Sequence, residues 1–274
     1  MARRPRLVPG PRLRVARSYA FLSYLVLAPA CASHVFTPPT GPGEPFPEAA
    51  TAWSEATHAC RQASTYAATI RVHGHVGQES LGATIIGLVT AADQISLSAP
   101  VMFGSPAFVL GGTLDTATLW LPRNKRVVTA RADDIVEALT GLRLSPNALL
   151  AMLSGCVATA DTVTASALYG PLGAITTDGG RAFLERQDGR WRITRGITNG
   201  LIIEYSDLRG DWPRAVRVSS ETARTPVVSL SMTMEQIDVN LPHSAKDFVV
   251  KPSPDAEPMS LEDLRAAGPL REKK

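Results

Sequence analysis

The sequence is poor in cysteine, with three in 274 residues: Cys31, Cys60 and Cys156. No CxxC pair and no His-Cys cluster is present, which leaves no ligand set for a thiolate zinc site. Long apolar runs are missing near the start as well. Tyr19 to Ala30 is a run of twelve mostly apolar residues, whereas an ordinary membrane-crossing helix needs about 20. The signatures GxSxG, HExxH and the phosphate-binding P-loop are absent, so no common hydrolase or nucleotide chemistry announces itself. Acidic residues are missing from the first 17 positions, which hold six arginines. The whole chain has 28 basic and 25 acidic residues; setting those six arginines aside leaves 22 against 25. The remainder is slightly acidic, which gives no case for a nucleic-acid partner.

A basic segment, a short apolar run and small residues at its end make a secretory signal. The run closes on Leu27-Ala28-Pro29-Ala30-Cys31, which resembles a bacterial lipobox. In one reading Cys31 becomes the acylated N-terminus of the mature protein. Each buried CH₂ then contributes roughly 0.8 kcal/mol, and two chains suffice for stable anchoring. In the other, ordinary cleavage after Ala30 leaves a free thiol, a liability in an oxidising compartment. Position 32 is Ala rather than Asp, which the resemblance associates with the outer membrane and a body facing the periplasm. With Cys31 lipidated, Cys60 and Cys156 remain. They form either a disulfide, worth ~4 to 5 kcal/mol in the chain-entropy model, or two buried thiols.

The expected organisation is a signal peptide over 1–30, a spacer over 31–48, a barrel over 49–250 and a tail over 251–274 carrying a short helix. The spacer is rich in proline (Pro38, Pro39, Pro42, Pro45, Pro47) and reads as extended and semi-rigid. Glu48 to about Ser64 is rich in alanine and reads as a helix. Strands are expected at Ala67–Val76, Leu81–Thr90, Asp93–Ser98, Phe108–Gly111, Ala117–Leu121 and Arg126–Ala130. Two helices interrupt. Ala132–Leu139 has acids in its first turn, and the second opens on Ser145-Pro146 and closes at Gly155. Strands resume at Ala182–Arg186, Trp191–Arg195, Leu201–Tyr205, Ala215–Ser219 and Val228–Met234. In the last, Val228, Leu230, Met232 and Met234 alternate with Ser229, Ser231 and Thr233, so one face is apolar. Ile237 and Val239 resume out of phase, which predicts a bulge near Glu235. Phe248–Val250 reads as a final strand, and Ser260-Leu261-Glu262-Asp263 as a capping box.

Three groups of residues, in this order, resemble the LolA/LolB superfamily, and its LolB branch more closely. They are Pro100-Val101-Met102-Phe103-Gly104; Ala132-Asp133-Asp134 with Leu139-Thr140-Gly141, Pro146, Leu149, Leu153 and Gly155; and Asp188-Gly189-Arg190-Trp191-Arg192-Ile193. The resemblance runs from about Trp53 to Asn240. It implies a mainly β fold with helices: a half-open antiparallel β-barrel of about ten or eleven strands plugged by helices. It further implies an apolar cavity for lipoprotein acyl chains, a LolA-like soluble carrier as partner and no covalent catalysis. The Pro-rich spacer, the tail and the paired cysteines depart from the LolB pattern.

In that family a protruding apolar loop helps deliver cargo to the membrane. Val101, Met102 and Phe103 occupy the matching place here; the alternative is a loop folded back into the core. Strand alternation nominates Ile95, Leu97, Leu110, Leu119, Trp191, Ile203, Leu230 and Met232 as cavity lining. No cofactor and no metal is called for. His73 and His75 share a strand face but are too few for a closed metal site, so a polar face is expected. Trp120 and Trp191 fit a core better than a ligand cavity. A second class of function remains open, an interaction or sensor module of the same fold that binds polypeptide or another lipid.

Overall fold

The computed structural model describes residues 36–101, 104–157, 162–222 and 227–268. Two units are distinguished, Met1–Thr37 and Pro38–Lys274, and the fold below is that of the second. Cys31 and the signal segment lie outside the described residues, as do Met102 and Phe103.

Among the described residues, two antiparallel meanders of six and seven strands, with a short parallel strand added at one edge, build a single sheet of fourteen strands. The first is β1 (Thr65–Val76), β2 (Glu79–Thr90), β3 (Gln94–Ser98), β4 (Val109–Thr113), β5 (Ala117–Leu121) and β6 (Arg126–Ala130). The second is β7 (Val163–Tyr169), β8 (Leu172–Thr177), β9 (Gly180–Gln187), β10 (Arg190–Thr198), β11 (Leu201–Arg209), β12 (Trp212–Ser220) and β13 (Val228–Val239). They join where β13 pairs with β1, from Tyr66↔Val239 to Val76↔Val228. Short hairpin turns keep neighbours in sequence adjacent in space. The sheet does not close: β7 is one end of the order and the two-residue β14 (Glu257–Pro258) the other.

The architecture is thus mainly β with an open sheet, and its strand count exceeds the expected ten or eleven. Part of the excess is β7 and β8, which sequence patterning did not reveal. β7 is mostly exposed or half-exposed, so selection for an apolar face is weak there. Phe248–Val250 is not a strand. Ala245–Phe248 is a 3₁₀ turn with a Ser244/Asp247 capping box. The bulge in β13 is present: Ala67 pairs with Asp238 and Thr69 with Glu235, and Gln236 has φ +51. His73 and His75 lie on the exposed side of β1, as a polar strand face requires.

Both sheet edges are covered. At β7, Glu44 and Leu168 exchange two backbone hydrogen bonds of 2.8 Å. The Tyr169 hydroxyl donates to the Gly41 carbonyl at 2.7 Å. Gly43 allows this approach, since a Cβ there would stand 2.9 Å from the Leu168 carbonyl. The end of the Pro-rich stretch is therefore part of the body rather than free of it, and Phe46 is buried against Trp191 with ring centroids 5.3 Å apart. At the other edge β14 pairs with β6. Such contacts shorten the unpaired rows that make open edges sticky.

Among the described residues four α-helices flank the sheet: α1 (Ala49–Gln62), α2 (Ala132–Thr140), α3 (Pro146–Ser154) and α4 (Leu261–Ala267). Ser145 caps α3, its hydroxyl accepting from the Ala148 N–H at 3.1 Å, and Pro146 occupies the first turn. α1 lies on β10, β7 and β8, while α3 lies on β1, β2, β3 and β12. α2 stands against β5 and β6 and takes α4 on its other side. The tail thus crosses the sheet at Gly111, where a Cβ would meet the Phe248 carbonyl at 2.7 Å, and ends with Leu264 fully buried.

Candidate functional site

The inner face between α2–α3 and the sheet carries an apolar cavity of about 90 Å³. Leu97, Leu230 and Met232 from the strands form its floor, and Val136, Leu149 and Leu153 from the helices its roof. Period-two alternation of β13 turns Leu230 and Met232 inward, and the helical spacing of Leu149 and Leu153 turns both toward them. Thr140 is the one hydroxyl in the lining. Its Oγ1 donates to the Val136 carbonyl at 2.8 Å and accepts the Leu142 N–H at 3.1 Å. The hydroxyl is therefore satisfied within the helix end, and the wall presents no polar surface to the cavity.

Ion pairs hold the roof. Arg143, in the turn between α2 and α3, reaches Glu137 at 3.1 Å, Asp133 at 3.5 Å and Asp134. Arg131 pairs with Asp133 at 3.1 Å and with Asp115 at 3.0 Å. The acids of the first turn of α2 thus face both the helix dipole and two guanidinium groups.

A second opening of about 310 Å³ flanks α3 and reaches the β8–β9 and β10–β11 turns at Asp178 and Asn199. Leu142, Leu144, Met152 and Val218 line both spaces and form the wall between them. A third, about 760 Å³, lies between α1 and strands β10 to β12.

Of the eight nominated lining residues, Leu97, Leu230 and Met232 meet at the apolar cavity. Ile203 lines the flanking opening, and Trp191 the α1 groove. Ile95, Leu110 and Leu119 line none of these spaces; they are fully buried in packed core instead. Alternation turned them inward, but α2 packs on that end of the sheet at β5 and β6, which no strand pattern reveals. Val136, Leu142, Leu144 and Met152 were missed. The apolar helix face signalled burial without saying against what.

The Cys60 and Cys156 sulfurs are bonded, with a Cα–Cα distance of 5.7 Å. Val101 is half-buried. Among the described residues, no group of three or more His, Cys, Asp or Glu side chains converges as a metal site. No helix there is long and apolar enough to cross a membrane.

No protein-family profile and no curated protein sequence matches the chain. Among solved structures, it is similar to a LolA superfamily protein from Nitrosomonas europaea, at 6% identity and a TM-score of 0.47, covering 73% of this chain and 97% of that one. It is also similar to LprF from Mycobacterium bovis, at 12% identity and a TM-score of 0.34, covering 78% and 100%. A third is the lipoprotein LppX from Mycobacterium tuberculosis, at 13% identity and a TM-score of 0.32, covering 71% and 96%.

Proposed function

We propose that this chain is a lipid-anchored outer-membrane protein, facing the periplasm, that shelters acyl chains between α2–α3 and the sheet. In this reading it accepts lipoproteins from a LolA-like soluble carrier and passes them to the membrane. The observation that carries the reading is the apolar cavity over Leu97, Leu230 and Met232, whose single hydroxyl is already satisfied. Hydrocarbon gains free energy on leaving water for such a surface, at about 25 cal/mol per Å² of area buried.

As it stands the cavity holds on the order of three water-sized groups. A full acyl chain enters only when the shared wall at Leu142, Leu144 and Met152 swings aside and joins the cavity to the 310 Å³ opening beside it. Transfer then needs no covalent step. Its direction follows from the difference in acyl affinity between carrier, acceptor and bilayer. Cys31 supplies the anchor, and Val101, Met102 and Phe103 form the membrane-facing tip.

Uptake of a fluorescent fatty acid by the purified protein tests the cavity. Saturable binding that Leu230→Arg abolishes, in a protein that still folds, supports the reading; unchanged binding by that folded variant contradicts it. Phe103→Glu tests the tip: it is expected to block insertion of cargo into liposomes while leaving uptake from the carrier intact.

A further inference from the structure

Strands β10 and β11 pair only from Arg195↔Glu204 to Thr198↔Leu201. Yet β10 begins at Arg190 and β11 runs on to Arg209. Two irregularities accompany the separation. The β9–β10 register shifts between Ile193 and Arg195, and Asp207 in β11 has φ +50, a left-handed backbone. Register shifts and left-handed residues both bend a strand away from its partner. The 760 Å³ groove opens along the unpaired stretch, between Arg190–Ile193, the β11–β12 hairpin and the outward side of α1.

The parted edge of β10 has a substitute partner. The Trp191 backbone N–H donates to the Glu55 carboxylate of α1 at 3.1 Å. A helix side chain thus stands where the carbonyl of a neighbouring strand would. Ladder alternation turns the backbone groups of Ile193 the same way. Across the groove, α1 presents Ala50, Thr51, Ser54 and Ala59, small side chains that leave room for a chain to lie alongside. Trp191 and Tyr205, which line the groove, each carry a buried polar atom (indole Nε1 and phenol oxygen) with no hydrogen-bond partner among the described residues.

We propose that this groove takes an extended polypeptide segment by strand addition to the parted edge of β10, displacing the Glu55 carboxylate that caps it. A peptide offers carbonyls and amides in the alternation that a strand edge requires. An acyl chain offers neither, and would bury the Glu55 carboxylate and the Arg192–Asp211 ion pair (2.8 Å) without replacing their water. The groove and the apolar cavity share no lining residue, so occupancy of one is separable from occupancy of the other.

The probe is fluorescein-labelled casein, an unfolded polypeptide, added to the full chain; binding is read by anisotropy and by amide hydrogen exchange. Saturating casein should slow exchange of the Trp191 and Ile193 amides about tenfold or more, as expected when a strand adds to that edge. Glu55→Ala frees the edge and should tighten binding about threefold. Ser54→Trp fills the groove and should weaken it about tenfold, or 1.4 kcal/mol. Both positions are exposed on α1, so both variants keep the fold. The proposal is overturned if casein does not bind, if it binds without slowing those amides, or if palmitate slows them and displaces it.

Discussion

Cys60, in the last turn of α1, is bonded to Cys156, which follows the end of α3. The helix over β7, β8 and β10 is thereby tied to the helix that roofs the apolar cavity. The two cysteines are separated by 96 positions in sequence, and losing such a crosslink costs about 2–5 kcal/mol. Cys60→Ser should lower the urea midpoint accordingly without changing far-UV circular dichroism. An unchanged midpoint would mean that the helices are held by packing alone.

The C-terminal tail acts on the same roof from the other side. Leu264 is fully buried where α4 meets α2. Leu264→Ala should destabilise by about 2–5 kcal/mol, the usual range for a core leucine. Hydrogen exchange should localise the loss to α2 and α4. A uniform change across the sheet would argue that the tail belongs to the global core instead.

Much of this design is legible in the sequence. Ser145-Pro146 and Gly155 bracket α3 because cap chemistry is local. The phase break after Met234 marks the bulge because alternation has to reset there. Other parts are not legible, for physical reasons. β7 has little apolar face to read because its side chains are exposed or half-exposed, and the Glu44 bonds at its edge are backbone bonds, which any residue can make. The packed surroundings of Ile95, Leu110 and Leu119 involve α2 against β5, and α2 is itself backed by α4 from more than a hundred residues downstream. The separation of β10 from β11 begins where the β9–β10 register shifts between Ile193 and Arg195, a backbone irregularity that side-chain alternation does not announce.

The tail also carries a pH-sensitive tether. Asp255 accepts a hydrogen bond from Lys125, and then one from Ser253, which together hold its carboxyl down at about 2. The folded value lies below the ordinary one of about 4. The contribution is therefore fully present above pH 4 and lost as pH falls through 2. Carboxyl chemical shifts of Asp255 should titrate near 2, and Lys125→Ala should move the midpoint back toward 4. An ordinary midpoint in the unaltered protein would remove the tether.

Tyr66 is 1% exposed and its hydroxyl has no partner among the described residues. Burial pushes its phenol well above the ordinary value. Removing an unsatisfied buried hydroxyl relieves a penalty of about 1–3 kcal/mol. Tyr66→Phe should leave the melting temperature unchanged or raise it. A clear drop would reveal a hydrogen bond at that oxygen.

The cavity itself is open to direct trial. Ala83 lines it and is half-buried. Ala83→Phe should fill the space and abolish fatty-acid uptake while the sheet remains intact by circular dichroism. Retained uptake in that variant would place the hydrocarbon elsewhere.

Mass spectrometry of the full chain, released gently from its native membrane and sprayed intact, bears most directly on the whole reading. A non-covalent adduct with the mass of an acylated species, absent from Ala83→Phe, is the predicted result. A chain that emerges bare under conditions that preserve a known lipid-protein complex would contradict it.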